Sequence, residues 1–339
     1  MRQLIVSEPG KVEWADAVAP RLAGPGSALV RPIAAATCDF DHLLVSGATG
    51  FPLPVALGHE FVAEVVEVGS AVTRVRAGDR VVVPFQISCG TCAACRRGRT
   101  SSCENVPWLS CYGLGDGAGG WGSAFSDLVR VPYADAMLVP LPDGVEPAEA
   151  AAVGCNVVDA YRCVAPGLEE EPGAAVLVLS GAFANIALFA VAIARALGAP
   201  RVDFFDRDPA VREWAGLLGA NVVDSPERIE SGAYPITVDA TMDPSLLATA
   251  IRATAPSGTC TLSAMYPGET TPVPLMDAFQ RCLTLRTGQP HARALLDPVL
   301  GLVSSGRLRP SAITRGLLDW GDAPEAFRHG RGKFVCTRA

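Results

Sequence analysis

Four cysteines crowd one short stretch, CGTCAACRRGRTSSC. Cys89, Cys92 and Cys95 are separated by two residues each, and Cys103 follows after seven more. Thiolates this close on a Gly- and Arg-rich loop can fill the tetrahedral shell of zinc, a closed site that holds a loop and leaves no position for substrate. Free or disulfide-paired cysteines and an iron–sulfur cluster are the other readings of such a set; the tight spacing favours zinc. Arg96, Arg97 and Arg99 inside the cluster would offset the negative charge of four thiolates around one metal.

Further candidate ligands are scattered. ATCDFDH carries Cys38, Asp41 and His42; LGHEF carries His59 and Glu60; VGCNVVDAYR carries Cys155 and Asp159. Two sulfurs and one imidazole would leave zinc a fourth position for water or a substrate oxygen, the arrangement of catalytic sites. Taken singly, a Cys is equally a small buried hydrophobe and a His an ordinary core or surface residue. Spacing alone does not connect positions 38, 59 and 155.

A third stretch, VLVLSGAFANIALFAVAIARALGA at 176–199, has the strand, turn and helix layout that cradles a dinucleotide pyrophosphate. Its turn is Ser180, Gly181, Ala182, Phe183, Ala184, Asn185 and Ile186, with one glycine where two or three are usual. Ala182 and Phe183 stand where the backbone should approach the phosphates, and a left-handed backbone there would be costly for residues with a Cβ. Asp206 ends the next strand, VDFFD, where a carboxylate would accept from ribose hydroxyls and favour NAD; Arg207 beside it keeps NADP open. Asp206 also reads as a helix N-cap, although Asp208 before Pro209 fits that role as well.

The elements that must position these residues fall into two groups. Residues 1–150 are rich in Val, Gly and Pro, with strand-like runs at 29–32, 61–68 and 80–84 parted by turn signals such as Ala77-Gly78-Asp79. Beyond Pro147, strands at 176–179, 201–205, 235–240 and 258–263 alternate with helices at about 184–197, 209–218 and 244–253. Such alternation predicts an α/β unit with a parallel sheet and helices on both faces. A last strand is expected at 333–336.

The 339 residues suffice for two domains, and 49% hydrophobic with 19% charged residues excludes a disordered chain. A net charge of −7 and a pI near 5.2, with no basic stripe, exclude nucleic acid as a partner. The uncharged segment 174–194 is about long enough to span a bilayer, but Ser180, Gly181 and Asn185 interrupt it, so a buried strand plus a buried helix is expected and no membrane. The N-terminal MRQLIVSEPGKVEW lacks the layout of a signal peptide, and eleven cysteines form an odd set. Both favour thiols and metal ligands in a cytoplasmic protein.

The motifs also run in a known order. GKVEW, CDFD at 38–41, PVALGHEFVAEVVEVGS at 54–70, AGDRVVV at 77–83, the four-cysteine stretch, CNVVDAYR at 155–162, the strand–turn–helix and DAPEAFRHGRGKFV at 322–335 follow one another. In this order the chain resembles, over nearly its whole length, the medium-chain zinc-containing alcohol dehydrogenase family. The resemblance implies a GroES-like catalytic domain over 1–150, with the four-cysteine lobe at 89–103, completed by 291–339. A Rossmann domain over 151–290 would be inserted between. It makes Cys38, His59 and Cys155 ligands of a catalytic zinc, places Glu60 close to that metal and Asp41 behind it, and leaves Asp159 a weaker third-ligand candidate. It also implies two zinc ions, NAD or NADP, an alcohol or carbonyl substrate, and a homo-dimer or homo-tetramer joined near 281–287. The family's proton relay, a Ser or Thr followed by a His, falls here on Phe40 and Leu43, so relay would need water, Asp41 or His42. With the glycine-poor turn, this also leaves open a zinc-dependent lyase or isomerase, or a binding protein without catalysis. Phe40, nearby loop residues such as Trp108, Tyr112 and Trp121, and segments around 264–290 are expected to line the substrate pocket, although any of these aromatics can equally be core.

Overall fold

The apolar run Val176–Ser180 is buried at all five positions, as a strand covered on both faces must be. In the computed structural model, which describes residues 1–328 and 332–338, it is the first strand of a six-stranded parallel sheet. Residues 329–331 of the DAPEAFRHGRGKFV stretch lie outside the described residues. The spatial order is Asn221–Val222, Val202–Phe205, Val176–Ser180, Tyr234–Ala240, Thr254–Leu262 and Thr284–Arg286, with every neighbouring pair parallel. In chain order this is 3-2-1-4-5-6, the doubly wound Rossmann order. Right-handed crossovers then place the helices of its two halves on opposite faces. Helices Pro209–Leu217 and Pro244–Ala253 begin where Asp208 and Asp243 accept from the amides of Ala210 and Ser245 at 2.9 and 2.8 Å, each with Pro at the first helical position. Segment 174–194 divides into strand and helix, and no helix among the described residues is long and apolar enough to cross a membrane.

The chain separates into two compact units, Asp159–Gln289, which holds this sheet, and Met1–Val158 with Pro290–Ala339. The second unit is β-rich. Its main sheet runs Thr314–Asp319, Lys333–Thr337, Ala28–Ala36, Glu60–Val68, Arg80–Val83 and Val139–Pro140, with Val129–Val131 also paired to Ala28–Ala36. Both chain ends therefore meet in one sheet: Lys333–Thr337 lies antiparallel to Ala28–Ala36, with Val335 opposite Ala36. A smaller sheet joins Lys11–Asp16, Arg2–Glu8 and Val55–Ala56. The core between them includes Leu4, Phe61, Tyr112, Phe125 and Met137, all fully buried.

One aromatic expected at a substrate pocket is placed otherwise. Tyr112 packs edge-on against Phe61 at 5.6 Å and its hydroxyl donates to the Arg130 carbonyl, because a ring flanked by strand residues contributes more as core than as lining. Trp108 stands 75% exposed on its loop.

Candidate metal and cofactor sites

Cys38 lies two residues past strand Ala28–Ala36 and caps the short helix Asp39–Val45. Asp41, fully buried in the first turn, accepts from the Cys38 amide through Oδ2 at 3.0 Å; its Oδ1 lies 3.4 Å from His59 Nδ1. The ring of His59 is thereby turned so that Nε2 is left for a metal, as a carboxylate behind a ligating imidazole does. His59 precedes strand Glu60–Val68 and rests against Phe85 at 5.8 Å. Cys155 arrives on a π-helical turn, Val153–Val157. Gly154 makes that approach possible, since a Cβ there would stand 2.4 Å from the Val83 carbonyl oxygen. The ligand atoms of Cys38, His59, Glu60 and Cys155 all lie within 4.8 Å of one another, and all four residues are buried.

The electrostatics suit a metal. The Cys155 thiol donates to Cys38, and with His59 and Lys333 it holds the Cys38 thiol well below its ordinary value against the effect of burial. Burial works against a charged His59 ring, but Asp41 and Cys38 outweigh it and raise its pKa. Burial raises Glu60 above the usual carboxylate range while Lys333 pulls it back. Glu60 is nonetheless fully engaged. Its Oε1 accepts from the Asn156 amide at 2.8 Å and its Oε2 from Lys333, whose ammonium also donates to the Thr37 carbonyl at 2.6 Å.

His42, one residue past Asp41, packs against Phe327 at 5.9 Å; its Nε2 is buried without a partner, and burial lowers its pKa. Phe40 packs edge-on against Phe51. Asp159 belongs to the other unit and binds Arg162 Nε at 2.5 Å, while Cys155 joins the ligand cluster.

Cys89, Cys92, Cys95 and Cys103 form a second group, their sulfurs again within 4.8 Å. Backbone amides point at these sulfurs: Thr91 and Cys92 at Cys89, Cys95 at Cys92 and Cys89 at Cys103, at 3.3–3.4 Å. The Asn105 side-chain amide adds a donor to Cys89 at 3.3 Å. Burial opposes ionisation and holds the Cys95 and Cys103 thiols up, while bonds from Thr91 and Cys92 bring the Cys89 thiol down to about 6 and Cys92 is lowered by the amides that reach it. Convergent N–H groups of this kind are what a thiolate cluster needs. Arg96, Arg97 and Arg99 remain at the lobe's surface, Arg97 and Arg99 exposed and Arg96 donating to the Thr91 carbonyl.

In the Rossmann unit the glycine-poor turn is accommodated without strain. None of residues 181–187 has a positive φ, so Ala182 and Phe183 need no left-handed backbone. Gly181 alone is sterically required, because a Cβ there would meet the Thr241 carbonyl oxygen at 2.7 Å. The amides of Ala182 and Phe183 donate to the Thr241 and Ala240 carbonyls, both at 3.1 Å. Those two donors are occupied; at the start of helix Ala184–Ala196 the amides of Ala184 and Ile186 have no acceptor within the helix. Four buried oxygens at the carboxyl ends of the strands have no partner: Ser180 Oγ, Asp206 Oδ2, Thr261 Oγ1 and Ser263 Oγ. Asp206 Oδ1 accepts from the Asp208 amide, and Asp208 is the helix cap. Arg207 is held by Asp243 at 2.7 Å.

Lys333, Asn156 and Thr37 escape a reading of motifs. Lys333 lies 273 residues from Glu60, and only its rarity hints at a special place: the chain has two lysines, Lys11 and Lys333, among 28 cationic residues. Asn156 adjoins a ligand candidate, and that adjacency was the available signal.

A GroES-like unit bearing two sulfur-rich clusters, together with a 3-2-1-4-5-6 sheet, defines the two-domain architecture of zinc-type dehydrogenases. The model of the alcohol dehydrogenase GroES-like domain matches residues 24–143. The NADP-dependent isopropanol dehydrogenase of Thermoanaerobacter brockii is 32% identical over 327 residues, 90% of this chain and 88% of that protein. A "probable zinc-binding alcohol dehydrogenase" of Mycobacterium tuberculosis is 28% identical over 98% of this chain and 86% of its own length. The alcohol dehydrogenase TADH from Thermus sp. ATN1 superposes with a TM-score of 0.90 at 31% identity, covering 100% of both chains. The chain belongs to the medium-chain zinc-containing alcohol dehydrogenase family.

Proposed function

We propose that this chain is a zinc-dependent oxidoreductase that moves a hydride between a nicotinamide dinucleotide, NAD in preference to NADP, and a small alcohol or carbonyl substrate. The observation that carries this reading is the buried convergence of Cys38, His59 and Cys155 with Asp41 behind the imidazole. The donor set fits zinc: two thiols, one already disposed to ionise, and one oriented imidazole. The four-cysteine lobe fits a second, structural ion.

When bound, the zinc supplies Lewis acidity for the substrate oxygen and the nicotinamide takes or gives the hydride. The chain's own residues hold and orient. Cys38, His59 and Cys155 would hold the metal, Asp41 fixes the His59 ring, and Lys333 with the Asn156 amide keeps the Glu60 carboxylate in place. Phe40 carries no proton and Asp41 is occupied by Cys38 and His59. His42, with an unpartnered Nε2, is therefore the side chain best suited to accept the alcohol proton, directly or through water.

The cofactor reading rests on the unpaired oxygens at the carboxyl edge of the parallel sheet, where dinucleotides bind. Asp206 Oδ2 can accept from a ribose hydroxyl, and its charge repels a 2′-phosphate. The ion pair of Arg207 with Asp243 engages the cation next to Asp206 in the chain, while Arg212 is turned to the Asp206 and Arg207 carbonyls. The Thermoanaerobacter relative is an NADP enzyme by name, so the preference belongs to this chain's own residues. Calorimetric titration of the zinc-replete protein with NADH and NADPH tests the proposal: tighter NADH binding is expected. Failure of both to bind, with two zinc ions per chain present, would end the redox reading.

A further inference from the structure

We propose that Asn156 is a positioning residue that tunes the catalytic metal site by hydrogen bonding its side-chain amide to the ligand thiolates. The inference rests on the metal site proposed above. Asn156 follows Cys155 on the π-helical turn and is completely buried. Its Nδ2 lies 3.2 Å from Cys38 Sγ and 3.8 Å from Cys155 Sγ, so one amide reaches both candidate sulfur ligands.

A purely structural role explains this residue poorly. Its backbone amide already anchors Glu60, which any residue but proline could do. The side-chain Oδ1 is buried with no partner, a burden that an apolar side chain of similar size would not bring. What the amide adds, and an apolar residue cannot, is a pair of N–H donors aimed at sulfur. The four-cysteine lobe uses the same device, where the Asn105 amide donates to Cys89.

The chemical consequence follows from charge. A thiolate that accepts an N–H bond shares less electron density with its metal, so the metal remains a stronger Lewis acid. The bond also fixes the Cys38 side chain, which sits at a helix start and needs a defined direction to ligate. In a chain whose first relay position is Phe40, stronger polarisation of the substrate oxygen would ease its deprotonation without a dedicated hydroxyl.

The test is made on the cobalt(II)-substituted protein, comparing the parent, Asn156→Ala and Cys38→Ser. The four-sulfur lobe contributes equally to the parent and Asn156→Ala spectra and cancels in their difference. The thiolate-to-cobalt charge-transfer band of the catalytic site is expected at longer wavelength in Asn156→Ala, because a thiolate relieved of its hydrogen bond gives up an electron more easily. A loss of about 10- to 100-fold in kcat/KM should accompany it. On the unmutated chain loaded with cadmium-113, through-bond coupling from the metal to the Asn156 side-chain amide protons should be visible by NMR, which decides the matter even if the variant does not fold. Bands that Cys38→Ser abolishes and Asn156→Ala leaves unmoved, with no coupling to the amide, would overturn the tuning role and leave the metal site standing. Spectra identical in the parent and Cys38→Ser would show that no metal sits there, and both readings would fall.

Discussion

Asp206 is the side chain on which the proposed preference for NAD rests. One of its carboxylate oxygens is occupied by the Asp208 amide and the other is buried and unpaired, so a ribose hydroxyl would complete it. A hydrogen bond to a charged acceptor is worth about 1.5–3 kcal/mol. Asp206→Ala should therefore weaken NADH binding about 10- to 100-fold and NADPH binding less, as read by calorimetry. Equal losses for the two cofactors would mean that the residue only shapes the loop. The residues of this site were legible in the sequence to unequal degrees. Four cysteines within one loop announce themselves because their contacts are local. Cys38, His59 and Cys155 could be joined only through the family's motif order, and Lys333 not at all, because it pairs with Glu60 across 273 residues.

At the level of elements, two ion-paired groups hold strands in place. Lys333 begins the C-terminal strand and meets Glu60 at the start of another, both fully buried. Removing one partner of a buried pair leaves the other charge uncompensated, at a cost of about 3–5 kcal/mol. Since burial already raises the Glu60 pKa, Glu60 can take up a proton once the ammonium is gone, so that cost is an upper bound for Lys333→Met; adding Glu60→Gln should recover most of it in thermal unfolding. A double variant no better than the single would show that the pair itself is not the source. In the Rossmann sheet, burial would raise the Asp203 pKa. Bonds from Arg201 at 2.8 Å, Tyr234 at 2.6 Å and Asn221 at 3.0 Å outweigh it and hold the carboxyl below its usual range. With the folded value below an unfolded one of about 3.9, the stabilisation is complete above about pH 4 and fades as pH falls through the folded value. The deficit in Tm of Asp203→Asn should thus be largest near neutral pH and shrink in acid; a deficit constant with pH would exclude ionisation as its origin. Strand and helix positions were legible because periodicity and Asp-Pro caps are local signals. The turn after Ser180 was not: whether Ala182 needs a left-handed backbone depends on where Thr241 and Ala240 stand, and those carbonyls come from another strand.

Across the whole molecule, composition indicated what the surface would not do, and a net charge of −7 without a basic stripe is consistent with small-molecule chemistry. Composition says nothing of whether a surface is covered by another protein. Strand Thr284–Arg286 ends the six-stranded sheet, and an edge strand presents unpaired backbone groups to any chain that can add to it. In the same unit, helix Leu275–Gln280 exposes Leu275 at 63%, Met276 at 66% and Phe279 at 79%. Apolar groups left bare this close in sequence to an edge strand are where a second copy would gain most by docking. We expect a dimer in which two such edges pair about a two-fold axis, so that each contact is made twice. Replacing a central aromatic at a symmetric interface removes about 2 kcal/mol per site, about 4 kcal/mol for the pair, or roughly a thousandfold in Kd. Phe279→Glu should accordingly convert the dimer to monomer at micromolar concentration in light scattering, while the Asp159–Gln289 sheet keeps its thermal stability because the side chain is exposed. An unchanged mass would move the interface away from this edge, with the exposed Trp108 of the other unit the next surface to alter.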